Sequence, residues 1–422
     1  MAEKLEPLPG TSDIWQPEIS EWVFLEQTAR DVFARYGYEE LRTPLFERTE
    51  VFVRSIGNET DVVQKEMYTF DDRGGRSLTL RPEGTAGVMR AIASRGLSEG
   101  EERRVFYLGP MFRGERPAAG RRRQFHQVGV EAVGRAAPAM DAESIAMLLH
   151  YLQEIGIRDG RLLLSSRGTT ADHPAMSAAL EQHFRPRIAG MCPDCQRRLE
   201  TNVARILDCK VEQCQAAIGA APGATDLLGA ESREYFAAAC ATLSRLGIIY
   251  EIEPRLVRGL DYYVHTVFEV IHSGLGAQNA LAGGGRYAIS LPGADKPVEG
   301  VGFAAGMERL LLARQSLGVS AAAAPQVQIF LASLGARALD GMLPLAQDLR
   351  QHGYRVLAET AGRSLKAQMR TANKVGAVVA LIRGDSELDK GTVVFKNLQA
   401  SVQEEIPLAE LAAKLAGLLP QA

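Results

Sequence analysis

Residues 103–134 read RRVFYLGPMFRGERPAAGRRRQFHQVGVEAVG, two apolar stretches flanking GERPAAGRRR. A strand, a long loop and a returning strand is the simplest reading of that order. In the second strand a period of two puts Phe125, Gln127, Gly129 and Glu131 on one face and His126, Val128, Val130 and Ala132 on the other. The first face is polar, and its central glycine lets a ligand lie close to the backbone. A solvent-exposed face carries the same pattern, so the loop has to decide. Residues 113–123 hold five arginines against one glutamate. Such a loop beside a polar sheet face suits polyphosphate or RNA, and Phe125 at its base could stack a purine.

Working outward, residues 255–306 again combine short alternating strands with glycine clusters, which indicates a largely antiparallel sheet. Gly283, Gly284 and Gly285 precede Arg286 and Tyr287, and glycines in series usually mark a tight turn. LRPEGT (80–85) offers the Glu83 carboxylate and the Thr85 hydroxyl at a turn, where a plain loop is the alternative. LVRGLDYY (256–263) groups an arginine, a glycine and two tyrosines. GVGFAAGMERLLL (300–312) leads small residues into an apolar helix carrying Glu308 and Arg309. Lone histidines such as His126 and His265 read as satisfied structural residues.

Residues 168–235 interrupt the sheet pattern with Ala-rich and Arg-rich helix-forming sequence, read as a helical insertion in a domain spanning 1–320. A composition break at LGVSAAAAPQ (317–326) marks a boundary. Beyond it, in a domain spanning 326–422, apolar runs at 327–333, 356–359 and 378–382 alternate with helix-like segments at 337–352 and 364–375, the order of a small α/β sheet. The fold class expected for the chain is therefore mixed α/β. Residues 361–384 hold five basic and no acidic groups. Lys366, Arg370 and Lys374 recur every fourth residue on one helix face, either a solvated surface or a phosphate-binding one.

The 422 residues carry 48 basic and 51 acidic groups, net −3, and 46% are hydrophobic. That balance excludes a disordered chain and argues against indiscriminate coating of DNA or RNA. It divides unevenly: residues 326–422 hold 11 basic and 9 acidic groups and residues 1–325 hold 37 and 42, with the basic charge gathered at 113–123 and 361–384. MAEKLEPLPG lacks a signal-peptide core and no run of about 18 apolar residues occurs, so a cytoplasmic protein without membrane spans is expected. Neither GxxxxGK[ST] nor HExxH is present. Four of the five cysteines, Cys192, Cys195, Cys209 and Cys214, fall within 23 residues. The first pair has structural-zinc spacing, and four intervening residues in the second pair are tolerable. Reduced thiols in a helical segment are the alternative.

Taken in order, these motifs resemble the bacterial histidyl-tRNA synthetases, a family of class II aminoacyl-tRNA synthetases, over essentially the whole chain. TPLFERTEVF (43–52) looks like the first class II motif, a dimer-interface element with Pro44 in its characteristic place; residues 112–131 look like the second and GVGFAAGMER (300–309) like the third. LVRGLDYY and ALAGGGRY resemble the two segments peculiar to the histidine enzymes. Departures are Pro9 where an arginine is common, Ala282 for a glycine and Ala288 for an aspartate.

The resemblance implies a class II antiparallel sheet with helices, a helical insertion and a C-terminal α/β anticodon-binding domain, acting as a homodimer. It implies activation of L-histidine by ATP with Mg²⁺ and transfer to the 3′ end of tRNA(His). Histidine would meet Glu83, Gly84, Thr85, Gln127, Glu131, Arg258, Tyr262 and Tyr263; ATP would meet Arg113, Glu115, Phe125 and Arg309, with Arg113 and Arg258 catalytic. Glu131 and a tyrosine hydroxyl can pair both imidazole nitrogens, while Glu83, Thr85 and Gln127 can hold the α-amino group. Arg116, Arg121, Arg122, Arg363, Lys366, Arg370 and Lys374 would meet tRNA. Zinc at the cysteines is not required by the resemblance. The rival implication is a non-catalytic relative, the histidine-sensing regulatory subunit of ATP phosphoribosyltransferase; RGLDYY, the arginine-rich loop and the anticodon-like domain count against it.

Overall fold

Helix α1 (Glu18–Arg35) spaces Trp22, Leu25, Ala29, Val32 and Phe33 by three and four residues and buries all five. They pack on Val128, Val130, Ala132, Val301, Phe303 and Ala305, the apolar sides of two strands described below. The computed structural model describes residues 5–58, 60–97, 100–276, 279–290, 297–320 and 327–419. The chain divides into two compact units, 1–321 and 322–422. The boundary expected at 317–326 lies partly outside the described residues.

After α1 come β1 (Glu39–Glu40), β2 (Phe46–Arg48), α2 (Thr49–Ile56), β3 (Thr69–Asp71), β4 (Ser77–Leu80), α3 (Thr85–Arg95), β5 (Arg103–Phe112), β6 (Gln124–Val133), α4 (Pro138–Glu154) and β7 (Arg161–Ser166). Helices α5 (His173–Phe184), α6 (Pro193–Thr201), α7 (Glu212–Gly219) and α8 (Ala230–Arg245) lead to β8 (Glu251–Ile252), β9 (Tyr263–Ile271), β10 (Ala280–Ile289), β11 (Val298–Gly306) and α9 (Met307–Ser316). Among the described residues, eight strands form one sheet in the order β1-β5-β6-β11-β10-β9-β7-β8. Only its edges are parallel, β1 on β5 and β8 on β7. The hairpin read from residues 103–134 is β5 and β6, paired antiparallel from Arg103 opposite Val133 to Phe112 opposite Gln124.

The glycine series departs from expectation. Gly283, Gly284 and Gly285 are central residues of β10, not a turn. The reason is crowding on both sides of the strand. A Cβ at Gly284 would stand 2.0 Å from the Gly302 carbonyl, and one at Gly283 would stand 2.5 Å from the Arg258 guanidinium. Gly285 sits at a β-bulge against β9. Arg286 is fully buried and donates to Asp141 at 2.6 and 2.9 Å, which makes it part of the core.

In the helical stretch, α5 to α7 and short 3₁₀ segments enclose a core of their own that includes Leu180, Phe184, Leu199, Ile206 and Ile218. Helix α8, by contrast, packs on α4 and β9, and its Leu243 joins the sheet core. The second unit has β12 (Ile329–Leu334), α10 (Ala336–Gln351), β13 (Val356–Ala358), α11 (Leu365–Lys374), β14 (Val379–Gly384), α12 (Asp385–Lys390), β15 (Thr392–Asn397), β16 (Val402–Pro407) and α13 (Leu411–Ala416). Its sheet runs β13-β12-β14-β15-β16, parallel for the first three strands and antiparallel for the last two. No helix is long and apolar enough to cross a membrane among the described residues.

Candidate active site

Alternation along β6 does what its sequence demands. Val128, Val130 and Ala132 enter the apolar core beneath α1 and α4, and Gln127 and Glu131 line a cavity on the other side of the sheet, with Gly129 between them. Glycine is needed at 129, because a Cβ there would stand 2.4 Å from the Tyr107 ring. LRPEGT is the turn from β4 into α3. Glu83 accepts hydrogen bonds from the amides of Thr85 (2.7 Å) and Ala86 (2.8 Å), so its carboxylate caps the helix start. Gly84 again spares the Tyr107 ring, which a Cβ would approach to 2.2 Å.

The Thr85 hydroxyl donates to Glu131 Oε1 at 2.6 Å, bringing two sequence-distant motifs into one contact. Glu131 is 1% exposed. Burial pushes its carboxyl up to about 8, against the opposing effects of the Thr85 and Tyr287 hydroxyls, so at pH 7 the neutral form predominates. Burial also raises Glu83, opposed by the amides it caps. The structure thus couples Thr85 to Glu131 and commits Glu83 partly to its own helix, two ties that the expected hold of Glu83, Thr85 and Gln127 on an α-amino group did not include.

Two buried polar atoms on this cavity, Gln127 Oε1 and Arg258 Nε, have no hydrogen-bond partner, and the buried Glu131 carboxyl and Tyr287 hydroxyl beside them act on each other. Leaving such atoms unpaired costs about 1–3 kcal/mol each, so their convergence marks a place built for a polar ligand. The cavity is small, about 80 Å³, and Tyr262 and Tyr263 complete its wall, their rings 4.7 Å apart. Sequence reading did not assign Tyr287. It stands in the GGGRY segment, but the strand register that turns it inward was misread as a turn.

A second cavity, about 180 Å³, shares Arg113, Gln127 and Arg258 with the first. The two arginines therefore stand at the junction. Arg113 Nε donates to the Pro82 carbonyl at 2.9 Å, and its guanidinium lies 5.3 Å from the Phe125 ring centre. Arg258 pairs with Glu269, a second residue that sequence reading did not single out. Phe125, Glu115 and Arg309 line the larger cavity. Arg309 is tied down, donating to the carbonyls of Gly120 (3.1 Å) and Ala280 (2.8 Å). Glu308 receives the His126 amide at 3.0 Å and fixes the start of α9 against β6. His265, expected to be satisfied, has a buried Nδ1 with no partner and stacks on Tyr235 at 4.0 Å.

The remaining candidates lie elsewhere. Arg116 and Arg121 are exposed on the loop between β5 and β6, with Arg122 half-buried; Arg121 pairs with Glu115 at 3.1 Å. Lys366, Arg370 and Lys374 form an exposed face of α11, while Gln368 and Ala372 on its other face are buried. Arg363 is held by Glu359 at 2.6 Å. Cys192, Cys195, Cys209 and Cys214 are buried together, with their sulfurs all within 4.8 Å of one another.

The comparisons with known proteins converge. The family described as "Histidyl-tRNA synthetase" matches residues 10–310, and "Anticodon binding domain" matches residues 328–418. The chain is 46% identical over 413 residues to the histidine–tRNA ligase of Geobacillus thermodenitrificans, covering 96% of each chain. It is 47% identical over 408 residues to that of Solidesulfovibrio magneticus, covering 96% of this chain and 95% of the other. The crystal structure of apo S. aureus histidyl-tRNA synthetase superposes with a TM-score of 0.80 at 36% identity, covering 97% of this chain and 99% of that one. A structure from Bacillus halodurans titled as an ATP phosphoribosyltransferase regulatory subunit/histidyl-tRNA synthetase, 18% identical with a TM-score of 0.66, shares the fold. With both the catalytic and the anticodon-binding segments matched at such coverage, the chain belongs to the histidyl-tRNA synthetase family.

Proposed function

We propose that the smaller cavity holds histidine and the larger one ATP, and that the chain acts as a histidine–tRNA ligase. The observation that carries this reading is the convergence of the unpartnered Gln127 Oε1 and Arg258 Nε with the buried Glu131 carboxyl and Tyr287 hydroxyl on the smaller cavity. A neutral imidazole has one N–H and one bare nitrogen. The protonated Glu131 carboxyl can donate to the bare nitrogen, and a tyrosine hydroxyl, Tyr287 being the one beside Glu131, can accept from the N–H. Glu83 and Gln127 suit the α-ammonium group, with Thr85 holding Glu131 in place.

The substrate carboxylate then points to the junction, where it attacks the α-phosphate of ATP. The new bond is carboxylate oxygen to phosphorus; the bond broken links the α-phosphate to the leaving pyrophosphate. Negative charge gathers on the phosphoryl oxygens as this happens, and Arg113 and Arg258 are positioned to neutralise it from two sides. Phe125 and Arg309 support the purine and the phosphates. Mg²⁺, carried on the phosphates, would supply further neutralisation, with Glu115 and Glu308 the carboxylates lining that cavity. A terminal ribose hydroxyl of tRNA next takes the histidyl group and releases AMP. Pyrophosphate exchange into ATP, run with each of the twenty amino acids, tests the reading: exchange with histidine is expected, and its absence would overturn the proposal.

Arg116, Arg121, Arg122, Lys366, Arg370 and Lys374 would meet tRNA, with Arg363 partly occupied by Glu359. Lys366→Glu combined with Arg370→Glu is expected to raise the KM for tRNA by about ten-fold or more, through loss and reversal of two phosphate-attracting charges, and to leave pyrophosphate exchange unchanged. An unaltered tRNA KM would contradict it. A homodimer is supported by the exposed apolar side chains Leu45, Phe46, Tyr68 and Phe70 around the small sheet β2-β4-β3, in and beside the segment resembling the first class II motif. A zinc ion on the four cysteines would be structural, because four thiolates leave no open position for a substrate.

A further inference from the structure

We infer that Cys192, Cys195, Cys209 and Cys214 form a tetrathiolate zinc site, and that it clamps the segment carrying Arg258. Zn–S bonds of about 2.3 Å in a tetrahedron place neighbouring sulfurs about 3.8 Å apart. Cys192 Sγ and Cys209 Sγ stand 3.7 Å apart, and all four sulfurs fall within 4.8 Å of one another. All four cysteines are buried and none is in a disulfide. Cys192 stands at the N-cap position of α6 and Cys195 in its first turn, where unpaired backbone amides favour negative sulfur. Backbone N–H groups already point at two of the sulfurs: that of Cys192 lies 3.3 Å from Cys214 Sγ, and that of Val211 lies 3.5 Å from Cys209 Sγ. Such amide contacts are what a thiolate cluster needs around its ligands.

The surroundings give the ion a task. Cys209 ends the 3₁₀ segment Val203–Asp208, and the helices on either side, α6 and α7, have nine and eight residues. Elements that short hold together poorly without a staple. Within that 3₁₀ segment Arg205, 6% exposed, donates to the Arg258 carbonyl at 3.1 Å, and Val257 packs into the same core as the cysteines. The cysteine cluster is thus one layer from the backbone that presents the Arg258 guanidinium to the cavity junction. Arg205 is a positioning residue in this arrangement, and so is each cysteine.

This inference meets the proposed reaction only at Arg258, and its first readout needs no substrate, so its failure leaves the ligase reading standing. Metal analysis of the full chain, purified under reducing conditions without chelator, is expected to give about one zinc per chain. Less than about 0.2 per chain overturns the site. Replacement by cobalt is expected to produce thiolate-to-cobalt charge-transfer absorption and tetrahedral d–d bands; octahedral bands would overturn the four-sulfur ligand set. Cys214→Ser is expected to lose the metal. Should that variant not fold, stripping zinc from the parent protein with a chelator replaces it. Hydrogen exchange of amides 256–261 is then expected to quicken about ten-fold or more relative to the zinc-loaded protein, while amides of β12 to β16 stay unchanged. A full zinc complement with unaltered exchange at 256–261 would overturn the clamp.

Discussion

Replacing Glu131 with leucine is expected to lower kcat/KM for histidine in pyrophosphate exchange by about 10³-fold, roughly 4 kcal/mol. The loss has two sources. The substrate imidazole is left with a buried nitrogen facing methyl groups, and the Thr85 hydroxyl loses the acceptor it now reaches at 2.6 Å. Glu131→Gln separates hydrogen bonding from charge. Its amide keeps an acceptor for Thr85 and a donor for the imidazole, mimicking the neutral carboxyl, and is expected to recover about ten-fold or more of the leucine loss. Glutamine no better than leucine would show that the ionised carboxylate is the working form.

The parent protein and Glu131→Gln should also differ in how stability depends on pH. The Glu131 carboxyl is raised to about 8 by burial, whereas an unfolded chain releases that proton near 4.5. Between those values the folded state binds a proton that the unfolded state has lost. Folding therefore grows less favourable as pH rises through the window, by about 1.4 kcal/mol per pH unit at the steepest. Below pH 4.5 both states are protonated and the penalty is absent. Glu131→Gln removes this slope, so its advantage over the parent in denaturant unfolding should be present at pH 8 and vanish near pH 4.5. Parallel stability curves for the two proteins would mean that Glu131 is already ionised in the fold. A site that gains stability when a binding group is neutralised is one whose burial is tolerated for function.

Arg258→His is expected to reduce kcat of adenylate formation by about 10²–10³-fold while changing the KM for ATP far less. The asymmetry follows from where the guanidinium lies. It lines both cavities, paired with Glu269 and with Nε unpartnered, so it stands where the proposed reaction would gather charge on the α-phosphate. Gly283 lets it lie there, since any Cβ at that position would stand 2.5 Å from it. Imidazole is shorter, presents one donor in that direction and is mostly neutral above pH 7. Binding of tRNA to the basic face of α11 should be unaffected. A parallel rise in KM with kcat unchanged would recast Arg258 as a ground-state binding group.

How much of this was legible beforehand varies with the range of the interaction that decides it. The β5–β6 hairpin was readable because alternation is local: each residue's face follows from its neighbour's. The strands and helices of the second unit were readable for the same reason, with runs at 327–333 and 378–382 emerging as Ile329–Leu334 and Val379–Gly384. The glycine series was not. Three small residues look alike in a turn and in a crowded strand, and only the Gly302 carbonyl and the Arg258 guanidinium, brought from 18 and 25 residues away, distinguish the two. Tyr287 was lost with it, since its inward direction depends on that strand's register opposite Gly300.

By itself, then, the sequence determined the alternating strands, the two concentrations of basic charge, the cysteine spacing and the motifs whose order carries the family resemblance. All are features of residues near one another along the chain. The tertiary structure decided which polar atoms remain unpaired. Thr85 meets Glu131 across 46 positions, Arg205 meets Arg258 across 53, and Cys192 approaches Cys209 across 17. Whether a buried group is satisfied depends on every element packed around it. That sum over long-range neighbours has no counterpart in local pattern, and it is what turns a list of polar residues into a cavity with unused donors and acceptors.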